Sequence, residues 1–433
     1  MSADLLQRLL DGRLTDPDGG TVPAVATRLV AIERSLRGDE AALLGQLDLG
    51  GDLAVVADPT TWRVLGAQVA QALGARRATS SVILPEHPHA DDATVHHIRV
   101  QTAAAAALVA VGSGTINDLV KYAAHLDRKP YVCFATAPSM NGYTSLNAAI
   151  TEAGVKKSLP ATAPRGVFFD LEVLGRAPRR MIQAGLGDSI CRPTAQADWL
   201  LAHLLLGQPY RALPFRLLVE DEAALLADPA PLLTGDPAAM RLLARILVLS
   251  GFGMAICGSS HPASQGEHLI SHFIEMRGDP AWPPSFHGEQ VAVTTLTMAR
   301  LQAAMLADPA PRVAATTVGR DAMTAYYGAE MGADLWQSYR AKALDAAGAA
   351  AMNAKLASDW PEIRRAILAV HRPPAALAAA LQRIGAPTRP ADIHVPEAFY
   401  REAVLHAREI RNRYTFLDFA ADAGRLAAAM PGG

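Results

Sequence analysis

Residues 111–122 read VGSGTINDLVKY. The apolar run AALVAVG (106–112) leads into them, and a second run, YVCFATAP (131–138), follows. Two strand-like segments are thus separated by Gly112, Ser113 and Gly114 and then by TINDLVKYAAHL, which has helical spacing. Strand, small-residue loop, helix, strand is the pattern of a parallel βαβ unit. Glycine lets the backbone take unusual dihedrals and lets a ligand approach closely. A helix N-terminus presents unpaired N–H groups and a partial positive charge, which suits a pyrophosphate. Thr115 adds a hydroxyl, and Asp118 lies one turn further on. The plainer reading is an ordinary tight turn feeding a helix. The loop is neither GxGxxG nor a Walker loop, so neither mechanism is imported.

The same alternation extends upstream. LAVVAD (53–58) is a short apolar run ended by Asp58 and Pro59, TWRVLGAQVAQALG is helical in spacing, and SSVILPE (80–86) is a further run stopped by Pro85. Apolar runs alternating with helices predict a parallel sheet covered on both faces. Beyond about residue 180 the character changes. Segments such as AAMRLLARILVLSGFGMAI, GEHLISHFIEM and AALAAALQRIG are rich in Ala and Leu, with a period near 3.6. We expect an α/β Rossmann-like N-terminal domain over 1–178 and an all-α C-terminal domain over 179–433.

Composition narrows the classes. Of 433 residues, 50% are apolar and 19% charged, enough for a large core and unlike a disordered chain. The formal net charge is −2, with no polybasic block, so neither nucleic acid nor an anionic membrane is called for. Three cysteines without a CxxC form neither a disulfide framework nor a zinc knuckle, and a reducing cytoplasm is expected. The start, MSADLLQRLLDGRLTD, lacks the apolar stretch of a secretory signal. ILVLSGFGMAICGSSHPASQG is broken by Gly, Ser, His and Pro and reads as a buried helix and loop.

Several stretches carry candidate chemistry. GLGDS (185–189) puts Asp188 at or near an expected helix start, where it is either an N-cap or a ligand. Asp198, ten residues on, could share its face. In SSHPASQGEHLISH (259–272), His268 and His272 are four apart and share a helical face. His287 opens HGEQVAV, just before another helical run. One histidine on an apolar helix is usually a core residue; three in this arrangement point to a metal such as Zn²⁺, Fe²⁺ or Ni²⁺. Spacing does not say which of His268 and His272 binds. Glu267 and Glu289 are ligands, orienters or solvent-facing charges.

These stretches occur together, in this order, in one family. The chain resembles the iron-containing (group III) alcohol dehydrogenase superfamily, with motifs most like those of the NAD(P)-dependent sn-glycerol-1-phosphate dehydrogenases. GSGTINDLVKY is similar to their cofactor loop, TAPSMNGYTS (136–145) to the segment after the next strand, and GLGDSICRPTAQADW to their first metal motif. SSHPASQGEHLISH resembles their Ser-Arg-Pro-Ala-Ser-Gly-x-Glu-His segment, and HGEQVAV their second metal histidine; IRNRYTFLDFA (410–420) also fits. The resemblance implies the dehydroquinate synthase-like fold. It implies one divalent metal on Asp188, His268 and His287, with His272 as a catalytic or substrate contact. It also implies NAD or NADP bound by Gly112, Ser113, Gly114, Thr115, Asp118, Thr136 and Ser139. Asp58 matches the position that reads the adenosine ribose, where a carboxylate favours NAD over NADP.

Two positions depart from that pattern: Asn141 stands where the family has Asp, and His261 where it has Arg. Both belong to the expected substrate pocket, to which Lys156 or Lys157 adds charge. The expected reaction is metal- and NAD(P)-dependent interconversion of a small secondary alcohol, a polyol or polyol phosphate, and its ketone. A dehydroquinate-synthase-like cyclase is the alternative, but it normally has Glu as first ligand and more phosphate-binding bases. A non-catalytic member of the fold is the other. A small-molecule substrate and a homodimer or larger homo-oligomer are expected.

Overall fold

The computed structural model describes residues 2–19, 22, 24–152 and 155–427, with the side chains of residues 2–4, 155 and 156 outside that description. The chain forms two compact units: Met1–Ser189 with Ala212–Ser260, and Ile190–Arg211 with His261–Gly433. This division differs from a single cut near residue 178. Helix Arg179–Ser189 and the long helix Pro237–Cys257 pack with the sheet-bearing unit, because their small residues meet its loops.

The first unit contains the strands β1 (Leu29–Glu33), β2 (Leu53–Ala57), β3 (Thr79–Ile83), β4 (Ala107–Gly112), β5 (Tyr131–Ala135), β6 (Asn147–Glu152), β7 (Val155–Pro160) and β8 (Gly166–Asp170). Six of them form one sheet in the order β1-β8-β5-β4-β2-β3, every pair parallel. β6 and β7 make a separate antiparallel hairpin. The four strands expected from LAVVAD, SSVILPE, AALVAVG and YVCFATAP are β2, β3, β4 and β5. Strands β2, β4, β5 and β8 are buried along their whole length, which is why they read as continuous apolar runs. From β2 the chain moves outward to β3 at the edge, then crosses back to β4 on the other side of β2. The order reverses between β2 and β4, and in open α/β sheets ligands bind at that switch, beyond the strand ends.

Helix Pro237–Cys257 is long and apolar enough to cross a membrane by length and composition. It instead runs through the first unit's core: every residue from Leu243 to Met254 is buried, and Arg245 is matched by Asp221 at 2.9 Å. The second unit is helical. Helices Arg192–Leu206, Gly266–Arg277, His287–Leu306 and Ala346–Leu368 and the C-terminal helix Phe416–Asp422 share one apolar cluster containing Leu201, Phe273, Met305, Trp360 and Phe419.

Candidate functional site

In the first unit, Asp58 and the Gly112–Gly114 turn stand at the two sides of the switch point. Asp58 directly follows β2, and Gly112 ends β4. Gly112 is required by packing: a Cβ there would meet the Cβ of Ile116 at 2.4 Å. The turn therefore tucks the start of helix Gly114–Leu126 against its own strand. Ser113 is the helix N-cap residue, and its hydroxyl makes no capping bond to that helix. Thr115 is exposed on the first turn. Asp58 caps the short helix that follows it. Its Oδ1 accepts from Thr61 N at 2.7 Å, and Asp58 N donates to Thr61 Oγ1 at 3.0 Å, a closed capping box. Asp118 is also engaged, its Oδ2 accepting from Ala149 N of β6 at 3.1 Å.

The loop 136–145 is held from three sides. Thr136 N extends the ladder to Gly112 O at 3.1 Å. Lys121, fully buried, donates to Gly142 O at 2.6 Å, Ser145 Oγ at 3.2 Å and Asn147 O at 3.0 Å, and pairs with Asp118 at 3.5 Å. Burial pushes its ammonium pKa down, while the Asp118 charge pushes it back up. From the other faces, Thr144 Oγ1 donates to Val248 O at 2.7 Å, and a Cβ on Gly185 would fall 1.6 Å from Pro138 O. Ser139 bonds the Tyr143 hydroxyl, which donates to Ala137 O at 2.6 Å.

Asn141 lies on this loop and meets Asp188. Its backbone N donates to Asp188 Oδ2 at 2.7 Å, and its amide Nδ2 to Oδ1 at 3.4 Å. Asp188 is buried and sits at the end of helix Arg179–Ser189, where the sequence suggested a helix start. Gly185 and Gly187 are both helical, and at Gly185 the helix passes too close to the loop for a Cβ, so the pair is not a flexible lead-in. Asp198 does not continue that helix. The chain breaks at Ile190 and Cys191, and Pro193 stands at N2 of the next helix, where its missing N–H is harmless.

In the second unit three imidazoles converge. The ring centroids of His268 and His287 are 5.1 Å apart, those of His268 and His272 5.8 Å, and those of His272 and His287 5.8 Å with the planes nearly parallel. His268 and His272 lie on helix Gly266–Arg277, and His287 is the first residue of helix His287–Leu306. The carboxylate of Glu267, fully buried, faces His268 Nδ1 at 3.0 Å. A carboxylate only accepts, so Nδ1 carries the proton and the lone pair of the ring lies on Nε2. Glu267 also accepts from Gln265 N at 2.8 Å and Thr194 Oγ1 at 3.3 Å, and so is not a solvent-facing charge. Glu289 accepts from Phe286 N at 2.7 Å and caps its own helix. His287 Nδ1 lies 3.5 Å from Glu275 Oε1. His272 Nδ1 is buried and has no hydrogen-bond partner among the described residues. Burial, then the charge of Arg411, pushes its pKa well below the ordinary value, so it is neutral near pH 7. Asp198 secures the frame, accepting from Gly266 N at 2.9 Å, Phe416 N at 3.0 Å and Gln302 Nε2 at 3.1 Å.

Around His261 the charges are positive. Burial, Arg413 and Arg411 push its pKa down to about 4, so it is uncharged at neutral pH. It packs against Trp199, with ring centroids 5.5 Å apart. It therefore does not hold an anion by charge. The side chain of Lys156 lies outside the described residues. Lys157 pairs with Glu152 at 3.3 Å on the hairpin surface. Arg411, Arg413 and Glu275 were given no role in the sequence, although IRNRYTFLDFA contains both arginines, because only folding brings their charges to the histidines.

Residues 31–178 match the family model described as iron-containing alcohol dehydrogenase. A glycerol-1-phosphate dehydrogenase [NAD(P)+] from Bacillus licheniformis is 30% identical over 380 residues, spanning 86% of this chain and 83% of that protein. The chain belongs to the iron-containing alcohol dehydrogenase family. A second glycerol-1-phosphate dehydrogenase [NAD(P)+], from Thermococcus kodakarensis, is 31% identical over 274 residues, 63% of this chain and 77% of that protein. The crystal structure of a probable glycerol dehydrogenase from Sinorhizobium meliloti 1021 has a TM-score of 0.62 at 16% identity, covering 93% of this chain and 96% of that one. That likeness is one of fold. Within the family frame, the backbone N–H of residue 141 would reach Asp188 whatever the side chain, but the bond from the Asn141 amide at 3.4 Å is one that a second carboxylate could not donate without a proton.

Proposed function

We propose that this family member is a metal-dependent, NAD(P)-linked dehydrogenase that interconverts a small secondary alcohol of the glycerol-1-phosphate type and its ketone. The observation that carries the reading is the cluster of three histidines in a chain related over most of its length to glycerol-1-phosphate dehydrogenases. The proposed ligands are His268, His287 and Asp188. The donor set fits a borderline divalent ion such as Zn²⁺, Fe²⁺ or Ni²⁺. Glu267 fixes the His268 tautomer, and Asn141 orients Asp188. Chain continuity supports Asp188: it is three residues before Cys191, whose Sγ lies within 4.8 Å of the ligand atoms of Glu267 and His268. A second donor set, His272, Glu275 and His287, also has its ligand atoms within 4.8 Å of one another. We prefer His268 because its Nδ1 is already held, leaving one nitrogen directed.

Bound, the metal would supply Lewis acidity toward the substrate oxygen, and the nicotinamide a hydride acceptor. The side chains do the rest. His272 is neutral and next to the cluster, so it can accept or relay the alcohol proton. Replacing His272 with alanine is expected to leave metal content intact and lower kcat by about 10²-fold, the lower range of general acid–base effects. Loss of metal from that variant would move the ligand assignment to the His272 set. Reconstitution with each of the three metals, followed by NADH absorbance with dihydroxyacetone phosphate, dihydroxyacetone and related hydroxyketones, tests the reaction. No oxidation of NADH or NADPH with any of them would refute it.

Cofactor choice rests on Asp58. A carboxylate at the end of β2 accepts from a ribose 2′-hydroxyl and repels a 2′-phosphate, so NAD is preferred. Asp58 also caps a helix, so glycine would confuse two effects. Asp58→Asn keeps the cap, because Asn caps as well as Asp. It is expected to raise kcat/KM with NADPH relative to NADH by about tenfold, the scale of one lost charge repulsion. An unmodified enzyme using both cofactors equally would contradict the assignment.

A further inference from the structure

We propose that Gln290, acting through the hydroxyl of Ser271, is a positioning residue that, together with Glu275, fixes His287 as its Nδ1–H tautomer and leaves the Nε2 lone pair for a divalent cation. The proposal deepens the metal-dependent reading above and rests on it for the cation alone. Helix Gly266–Arg277 carries His268, Ser271, His272 and Glu275 at i, i+3, i+4 and i+7, so the four form one polar stripe. Helix His287–Leu306 packs against it, with His287 at its first position and Gln290 one turn on, on the same face. Ser271 is fully buried and Gln290 is 7% exposed, so water does not stand in for a lost partner of either.

The direction of each hydrogen bond follows from the one before. His287 Nδ1 has two neighbours, Glu275 Oε1 at 3.5 Å and Ser271 Oγ at 3.5 Å. A carboxylate only accepts, and a bare Nδ1 would set its lone pair against that oxygen, so Nδ1 carries the proton. Its N–H is shared between the two acceptors, as in a three-centre bond. Ser271 Oγ therefore accepts from the ring, and its own O–H donates to Gln290 Oε1 at 2.8 Å. That bond sets the amide, whose Nε2 donates to Ser285 Oγ at 3.1 Å. The opposite tautomer would need Ser271 to donate to Nδ1 and the Gln290 amide to turn over, and would still leave two lone pairs facing each other at Glu275. The His287 side chain is 31% exposed and opens its helix, so the relay supplies a restraint that burial does not. The pattern matches His268, whose Nδ1 faces Glu267 at 3.0 Å. His272, assigned above to the proton, is the histidine whose Nδ1 has no partner among the described residues. Both proposed ligand rings are held and the proton carrier is not. Partners that orient a ligand histidine in this way change metal affinity by about 10–100-fold.

The test uses the full chain with nitrogen-15-labelled histidine, and zinc as the metal probe. Histidine tautomers are read by NMR on the metal-free protein at about pH 8, above the ordinary imidazole range. The His287 signals, assigned by their loss in His287→Ala, are expected to show the Nδ1–H form. Gln290→Met keeps the length of the side chain but offers only a weak acceptor, which frees the Ser271 hydroxyl to donate to Nδ1. An Nε2–H population should then appear, and zinc affinity, measured by competition with a chelating dye, should fall at least about tenfold. Gln290→Glu keeps the acceptor for Ser271 and should keep the Nδ1–H form. His287 found as the Nε2–H form in the unmodified chain overturns the proposal. So does a Gln290→Met protein with unchanged tautomer and zinc affinity within about twofold of the unmodified chain. If Gln290→Met does not fold, Ser271→Ala with undiminished zinc affinity overturns it equally. If the unmodified chain binds no zinc, the metal-dependent reading fails, and the tautomers of the unmodified and Gln290→Met proteins alone decide the relay: identical forms overturn it.

Discussion

His268→Ala and His287→Ala are each expected to lose bound metal and to lower kcat/KM by on the order of 10³-fold. Catalytic metal sites use three protein ligands and keep a position for substrate, so two ligands do not complete the shell. Lewis-acid stabilisation is worth several kcal/mol, and each factor of ten in rate is about 1.4 kcal/mol. Asp188→Ala should behave likewise, because it is the proposed anionic ligand and its carboxylate is already oriented by Asn141. His268→Ala has a second consequence. It leaves the buried Glu267 carboxylate without the imidazole proton it now faces at 3.0 Å, so part of any stability loss belongs to that pair. Elemental analysis separates the effects: a folded His287→Ala protein with full metal content would remove His287 from the site, whatever its activity.

Gly185→Ala is expected to destabilise the protein by at least about 4 kcal/mol, and at that size to prevent accumulation of folded chain. Helix propensity argues the other way, since alanine in a helix interior is favoured over glycine by roughly 1 kcal/mol. The geometry decides the sign. An added Cβ would lie 1.6 Å from Pro138 O, and that oxygen is backbone, so relief requires moving either the helix or the loop that carries Ser139 and Asn141. Gly74, at the end of its helix, is the control: nothing lies within 4 Å of its added Cβ, and Gly74→Ala should be neutral or mildly stabilising. Thermal melts of the two variants read the difference. A Gly185→Ala protein melting with the unmodified one would show that helix and loop are not in that contact.

The four strands β2 to β5, the helix carrying His268 and His272, and the Gly112–Gly114 turn were legible because local pattern dictates them. Strands buried on both faces are uniformly apolar, and residues four apart on a helix share a face whatever surrounds them. The family was legible for a related reason, since its motifs are short runs with fixed internal spacing. Tertiary structure decided the rest. It turned GLGDS from a helix start into a helix end, because close packing on Pro138 required glycine inside the helix. It placed β3 outside β2 and β4 on the other side, and so put Asp58 and the glycine turn at one crevice. It gave Asp58 and Glu289 capping bonds within their own helix starts, and Asp118 a bond to Ala149 on β6. It made His261 neutral. Charge state and partner choice depend on burial and on groups far away in the chain, and a linear sequence carries neither distance nor solvent access.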